Sequence, residues 1–299
     1  MNREAQKREI NEKVILIDEA LSRYLPGPQA TPAAVHEAMR YSVFAGGKRL
    51  RPILFLAAAE AAGGDIAPLM PAACAMELIH TYSLIHDDLP VMDNDDYRRG
   101  KLTNHKVFGE AMAVLAGDAL LTLAFGLIAE CGLTGGVSPH VTAEVIREVS
   151  RAAGSQGMIG GQVVDIQSEN QSIDKKTLAY IHAHKTGALF KASVRSGALM
   201  GGGTEQEIRN LTEYAENLGL AFQITDDILD VEGDSQKLGK TVGSDERKKK
   251  STYPAIYGLE NSKKSAADVV AKAISALDAF GEKADILRYI ADYLLHREK

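Results

Sequence analysis

Tryptophan is absent from this 299-residue chain, aromatic residues make up only 6% of it, and no stretch alternates apolar with polar residues among β-branched ones. Sheet-built folds are therefore disfavoured. The only cysteines are Cys74 and Cys131, with no CxxC pair. That excludes a disulfide framework and a thiolate metal centre, and the two thiols are expected to stay reduced in a cytoplasmic protein. Positive charge is not in excess: the net charge is −6, which disfavours a nucleic-acid partner. The first residues carry acids and no apolar core, so neither a secretory nor a transit signal is expected. No GxGxxG, Walker A, HExxH or GxSxG sequence occurs, which removes the usual nucleotide, zinc and acyl-transfer chemistries. The most membrane-like stretch, Ala111 to Leu133, contains Asp118 and Glu130, and its uninterrupted apolar part is too short to span a bilayer. It is expected to be a central core helix surrounded by others.

What is present is a hydrophobic content of 45%, enough for a large core. Helix-period stretches are separated by punctuation at Leu25-Pro-Gly-Pro, Ala62-Gly-Gly-Asp65, Gly132 to Pro139, Gly154 to Gly161 and Gly201-Gly-Gly-Thr204. Short breaks between long helices predict an all-α fold, a single large helical bundle around a central cavity, with one domain over residues 1–299. From Glu232 to Ser251 the chain turns polar and ends in the basic run 247–250. Such a segment is either mobile over a site or a solvated run of charge.

Two aspartate clusters stand out, Asp87-Asp88 with Asp93 and Asp226-Asp227 with Asp230, about 140 residues apart and each set in an apolar run. Six carboxylates converging on one cavity would repel one another and would be costly to ionise alone. Hard divalent cations relieve that, and Mg²⁺ suits best because it binds through one or two carboxylates plus the phosphates of a substrate. The implied substrate is a phosphate ester. Asp226 and Asp230, four apart, share a helix face, with Asp227 turned by about 100°. Pro90 should end the first helix, leaving its acids at a C-terminus, where the helix dipole does not favour negative charge.

Basic residues complement them. In Ala45-Gly-Gly-Lys-Arg-Leu-Arg-Pro52, two glycines precede Lys48 and Arg51, which are spaced to reach one anion. Arg98 and Arg99 follow the first acidic cluster directly. His80, seven residues before Asp87, is either a donor at the cavity edge or a satisfied core histidine. His86, His182 and His184 have no stronger claim.

GGKRLRP, HTYSLIHDDLPVMDNDDYRRG, GEAMAVLAGD, Lys185-Thr186-Gly187, GLAFQITDDILD and KLGKTVGSD followed by KSTYP together resemble the short-chain trans-prenyltransferase (polyprenyl diphosphate synthase) family. The resemblance is strongest to bacterial farnesyl diphosphate synthases, whose first motif has the longer spacing seen from Asp87 to Asp93. It implies condensation of isopentenyl diphosphate with dimethylallyl and then geranyl diphosphate, in a homodimer, with three Mg²⁺ ions per site. By similarity Asp87, Asp93 and Asp226 are the main ligands, with Asp88, Asp227 and Asp230 nearby or acting through water. Arg98, Lys185 and Lys240 would hold the allylic diphosphate, while Thr186 and Gln223 present oxygens to the developing cation. Gly47, Lys48, Arg51, His80 and Arg99 would hold isopentenyl diphosphate. Of lysines 248–250, Lys250 is the one expected to touch diphosphate. No side chain is assigned as general base, since the released diphosphate takes the proton.

The same resemblance places chain-length control five positions before the first aspartate, at Tyr82. The helical wheel alone points instead to Ser83, about 40° from Asp87 against about 140° for Tyr82. A bulky Tyr82 implies the fifteen-carbon product. A geranylgeranyl-forming relative is the alternative, a terpene cyclase would leave GGKRLRP without a purpose, and an inactive regulatory subunit would be expected to have lost aspartates.

Overall fold

Met70–Asp87 is the helix around which the others are arranged (α4). Every residue from Met70 to Ile79 is buried, as an apolar run without charged interruptions other than Glu77 dictates. The computed structural model describes residues 2–232 and 252–296. Before α4 come α1 (Arg3–Tyr24), α2 (Ala33–Val43) and α3 (Leu50–Ala61). After it come α5 (Asn104–Phe108), α6 (Glu110–Leu133), α7 (Pro139–Ala153), α8 (Met158–Gln167), α9 (Lys175–Ile181), α10 (Ala188–Met200) and α11 (Glu205–Glu232). The last helices are α12 (Tyr253–Tyr257), α13 (Leu259–Ser275) and α14 (Asp285–His296). The all-α expectation holds, with one exception, a two-residue hairpin of β1 (Tyr97–Arg98) and β2 (Lys101–Leu102).

Local chemistry sets the boundaries. Asn2 and Asp174 accept backbone N–H bonds at the starts of α1 and α9. Thr204 and Glu207 form a capping box at α11, the Glu207 carboxylate taking the Thr204 N–H at 2.8 Å. α11 then runs 28 residues to the second aspartate cluster. Apolar α3 and α10 pack together beside α4, α11 lies against α10 and α13, and α7 joins α6 to α10. All the helix ends that carry chemistry belong to this one arrangement.

Two expectations need correction. α6 is not enclosed: Gly117, Leu120, Ala124 and Ile128 bury one face against its neighbours, chiefly α4, while Val114 and Leu115 on another are 40% and 53% exposed. All-round apolarity reports only that water is disfavoured on every face, not what covers each. By length and composition α6 could cross a membrane, yet its buried face is packed into the bundle as a globular core helix is. The stretch Gly154 to Gly161 is not simply a break either, since Gly160 and Gly161 lie inside α8. A Cβ on Gly161 would sit 2.2 Å from the backbone nitrogen of Lys185, so glycine is required there by close packing. The segment from residue 233 to 251, with the basic run 247–250 and Lys240, lies outside the described residues.

Candidate active site

The first aspartate cluster closes on itself. α4 ends at Asp87, as Pro90 requires, and the Asp93 N–H bonds to the Asp87 carbonyl at 2.8 Å, bringing the two carboxyl-bearing residues together across the turn. Asn94 in this turn adopts φ 53°. Burial and then Asp93 and Asp88 push the Asp87 carboxyl above its usual range, while Lys185 pulls the other way. Lys185 is thus close enough to Asp87 to feel its charge although it comes from a different helix. Asp88 is buried and gripped by Arg98, whose Nε and Nη2 approach one oxygen at 2.7 and 2.6 Å.

Arg98 and Arg99 are placed by the hairpin. Arg99 and Gly100 at its tip have φ 53° and 76°, the two-residue turn whose twist matches paired strands. Arg99 bonds back to the Gly46 carbonyl, linking the hairpin to the glycine-rich loop. A Cβ on Gly47 would fall 2.5 Å from the Arg99 guanidinium, and Gly47 has φ 131°. Only glycine fits there.

In that loop the middle cation, not singled out from sequence, turns inward. Arg49, at φ 50°, is 3% exposed, bonding Glu77 at 2.8 Å, Asp18 at 2.7 Å and the Val43 carbonyl at 2.8 Å. With Arg49 anchored, exposed Lys48 lies over the Tyr293 ring at 5.7 Å and Arg51 lies over Phe190 at 5.1 Å. Burial, with Arg99 adding to it, brings the Arg51 guanidinium down to about 10 against the pull of Glu77. Burial and then Arg51, Arg99 and Arg98 push the His80 imidazole well below its ordinary 6.5. The Arg51 and Arg99 guanidinia therefore lie close enough to repel each other beside a neutral His80, an arrangement that an anion would relieve. His80 is thus a buried histidine whose nearest charges are arginines.

Lys185 and Thr186 lie in a π-helical turn, residues His182–Gly187, between α9 and α10. The Lys185 ammonium pairs with Asp165 of α8 at 2.7 Å. Asp165 was not singled out from sequence, where a lone aspartate after Val163-Val164 carries no signal of its own. The second aspartate cluster occupies the last two turns of α11: Asp227 and Asp230 are buried, Asp226 and Gln223 half-buried. Asp227, turned away from its neighbours as expected, accepts the Tyr253 N–H at 2.7 Å and lies 3.5 Å from His182 Nε2. Burial lowers the His182 imidazole to about 4.

Tyr82 is 5% exposed, with its ring edge-on to His86 at 5.7 Å. Burial and the Asp87 charge raise its phenol to about 12. Ser83, which the wheel favoured, bonds back to the His80 carbonyl at 2.9 Å on its own helix. Among the described residues no three His, Cys, Asp or Glu side chains form a ready-made cation cage. The hard oxygen donors at Asp87 and Asp93, half-buried and mutually repelling, nonetheless fit a cation completed by substrate phosphate and water.

Residues 32–293 match the family described as polyprenyl synthetase. The chain is 49% identical to a farnesyl diphosphate synthase of Geobacillus stearothermophilus over 97% of both chains. It is 48% identical to a chloroplastic geranylgeranyl pyrophosphate synthase of Capsicum annuum, covering 97% of this chain and 78% of that protein. The crystal structure of geranylgeranyl pyrophosphate synthetase from Pyrococcus horikoshii superposes with a TM-score of 0.90 over 99% of both chains, at 34% identity.

Proposed function

The chain belongs to the polyprenyl synthetase family and is a prenyltransferase, and on that premise we propose that it is a farnesyl diphosphate synthase acting as one domain over residues 1–299. It joins isopentenyl diphosphate to dimethylallyl diphosphate and then to geranyl diphosphate. The observation that carries this reading is the pair of unlike charge regions at one end of α4. Acidic Asp87 and Asp93 lie near Lys185, while Arg51 and Arg99 form a separate cationic region beside neutral His80. An enzyme with one diphosphate substrate needs only the first; a condensing enzyme needs both.

In this mechanism Lys185 and Arg98, with Lys240, hold the allylic diphosphate as its C–O bond breaks and negative charge gathers on the departing group. Thr186 and Gln223 present oxygens to the allylic cation, and the buried walls of α3, α4 and α10 exclude water from it. Arg51, His80, Arg99, Lys48 and the Gly47 backbone hold isopentenyl diphosphate so that its double bond meets the cation. The proton lost after bond formation goes to the released diphosphate. Enzymes of this family use Mg²⁺; here Asp87, Asp93 and Asp226 would hold three such ions, with Asp88, Asp227 and Asp230 behind them, and the metal supplies Lewis-acid neutralisation of the leaving diphosphate.

Product length rests on Tyr82, a bulky buried residue one and a half turns before Asp87. The geranylgeranyl synthases among its relatives keep a twenty-carbon product as the second reading. A homodimer is supported by the exposed apolar residues Val114 and Leu115 of α6. Cys74 and Cys131 are buried free thiols, in keeping with a cytoplasmic enzyme. The test is incubation of purified protein with Mg²⁺, isopentenyl diphosphate and each allylic primer, followed by chromatography. Farnesyl diphosphate is the expected main product, and no condensation with any primer would overturn the reading.

A further inference from the structure

His182 is 5% exposed, at the start of the π turn that carries Lys185 and Thr186. Its Nδ1 is buried without a hydrogen-bond partner, while Nε2 lies 3.5 Å from Asp227. The Asp227 approach is thus the polar contact of this buried ring. The ring stacks parallel to Tyr253 at 6.2 Å, and the Tyr253 N–H bonds the same Asp227 oxygen at 2.7 Å. Asp227 is thus flanked by the π turn on one side and the start of α12 on the other.

The winding of the turn gives this contact leverage. A π turn contains one more residue than an α turn, and relaxing it to α geometry would rotate later side chains by about 100° relative to His182. His182 could then face Asp227, or Lys185 could reach Asp165, but not both. Gly161, with no room for a Cβ against Lys185, fixes α8 on the other flank.

We propose that His182 is a positioning residue: its contact with Asp227 locks the π turn in register, aiming Lys185 and Thr186 at the allylic diphosphate while orienting the second aspartate cluster. This deepens the proposed function and rests on it. The residue touches neither substrate nor reacting atoms.

His182→Leu, which removes the Nε2 contact with Asp227, should lower kcat roughly 10- to 100-fold and raise the Mg²⁺ concentration for half-maximal rate, as loss of a group that orients metal-binding side chains does. KM for isopentenyl diphosphate, bound by other helices, should stay within about twofold. His182→Gln, whose amide nitrogen reaches the Nε2 position, should recover most of the rate; His182→Asn, which is too short, should not. In an Asp227→Asn background, His182→Leu should have little further effect. The proposal is overturned if His182→Leu leaves kcat and Mg²⁺ dependence unchanged, if Gln and Asn behave alike, or if the two losses are additive. Should the Leu variant not fold, the Gln and Asn pair still decides. Failure of the wild type to condense any primer would instead sink the functional reading, so the two failures are distinguishable.

Discussion

Arg49 Nη1 lies 2.8 Å from Glu77 Oε1 with both side chains 2% exposed, tying the glycine-rich loop to α4 one turn before His80. The pair buries one of the loop's three cations against α4 and leaves Lys48 exposed. Because Arg49 occupies a left-handed conformation and points inward, Lys48 and Arg51 on either side take other directions, over the Tyr293 and Phe190 rings.

Glu77→Gln should therefore cost both stability and substrate affinity. Removing the buried partner leaves the Arg49 guanidinium with only the half-exposed Asp18 carboxylate at 2.7 Å, at a cost of about 1–3 kcal/mol. Urea unfolding should show that loss, and the surviving folded enzyme should have a raised KM for isopentenyl diphosphate with a smaller change for the allylic substrate. Equal changes in the two KM values would contradict this placement of Lys48 and Arg51.

The aspartate clusters and the basic loop were legible in the sequence because charge inside an apolar run needs a reason. Arg49 was not, since three neighbouring cations look alike until the backbone decides which turns inward. Asp165 and His182 were hidden for a related reason: each acts through one partner far away in the chain, Lys185 and Asp227. α6 was read as enclosed because periodicity cannot say whether a helix face is covered by the same chain or by another. The helix breaks at Pro90, Gly63-Gly64 and Gly201 to Gly203, being local, were read directly from residue chemistry, whereas Gly160 and Gly161 proved to lie inside α8.

Acid should unfold the protein partly through His80. Its pKa in the folded chain lies well below 6.5, owing to burial and then to Arg51 and Arg99. Above 6.5 the ring is neutral in both states and contributes no pH dependence. As pH falls below 6.5 the unfolded chain binds the proton first, so stability declines towards the folded pKa. His80→Gln should flatten the stability curve in that window when urea midpoints are followed against pH. Inorganic diphosphate, by neutralising the arginines, should flatten it in the wild type as well. Parallel curves for wild type and variant would exclude a depressed His80.

Asp87→Asn should separate stability from catalysis. Burial and then Asp93 raise the Asp87 pKa above 3.8, so its ionised form is disfavoured by folding at neutral pH, a penalty relieved only as pH falls through the raised value. The amide should leave the melting temperature unchanged or higher at pH 7. Turnover should drop about 10²-fold or more, because an oxygen ligand for the metal that would neutralise the leaving diphosphate is lost. Stabilisation by Mg²⁺ with diphosphate, read by scanning fluorimetry, should shrink as well. A variant that keeps full turnover would remove Asp87 from the metal site.

Tyr82 offers a test of product length. Tyr82→Ala opens space beneath the first aspartate cluster and should shift the main product from fifteen carbons to twenty or more, while costing about 3–5 kcal/mol for the lost ring. Tyr82→Phe should alter neither, since the phenol has no hydrogen-bond partner to lose. Chromatography of both product mixtures decides: an unchanged distribution in the alanine variant means that another residue closes the tunnel.

The open face of α6 yields the last expectation. Val114 and Leu115 lie one turn from Asp118 on a helix whose opposite face is packed on α4, so their exposure is not a failure of the core. Covering such a surface with a second copy removes apolar area from water at about 25 cal/mol per Å², and a stable pairing needs roughly 800 Å² from each copy. Leu115→Glu would place a carboxylate in that contact on both copies at once, because a twofold interface repeats every substitution. Sedimentation should show a dimer for the wild type and a monomer for Leu115→Glu, with the helical circular dichroism of the variant retained. A variant that still sediments as a dimer would move the interface off α6.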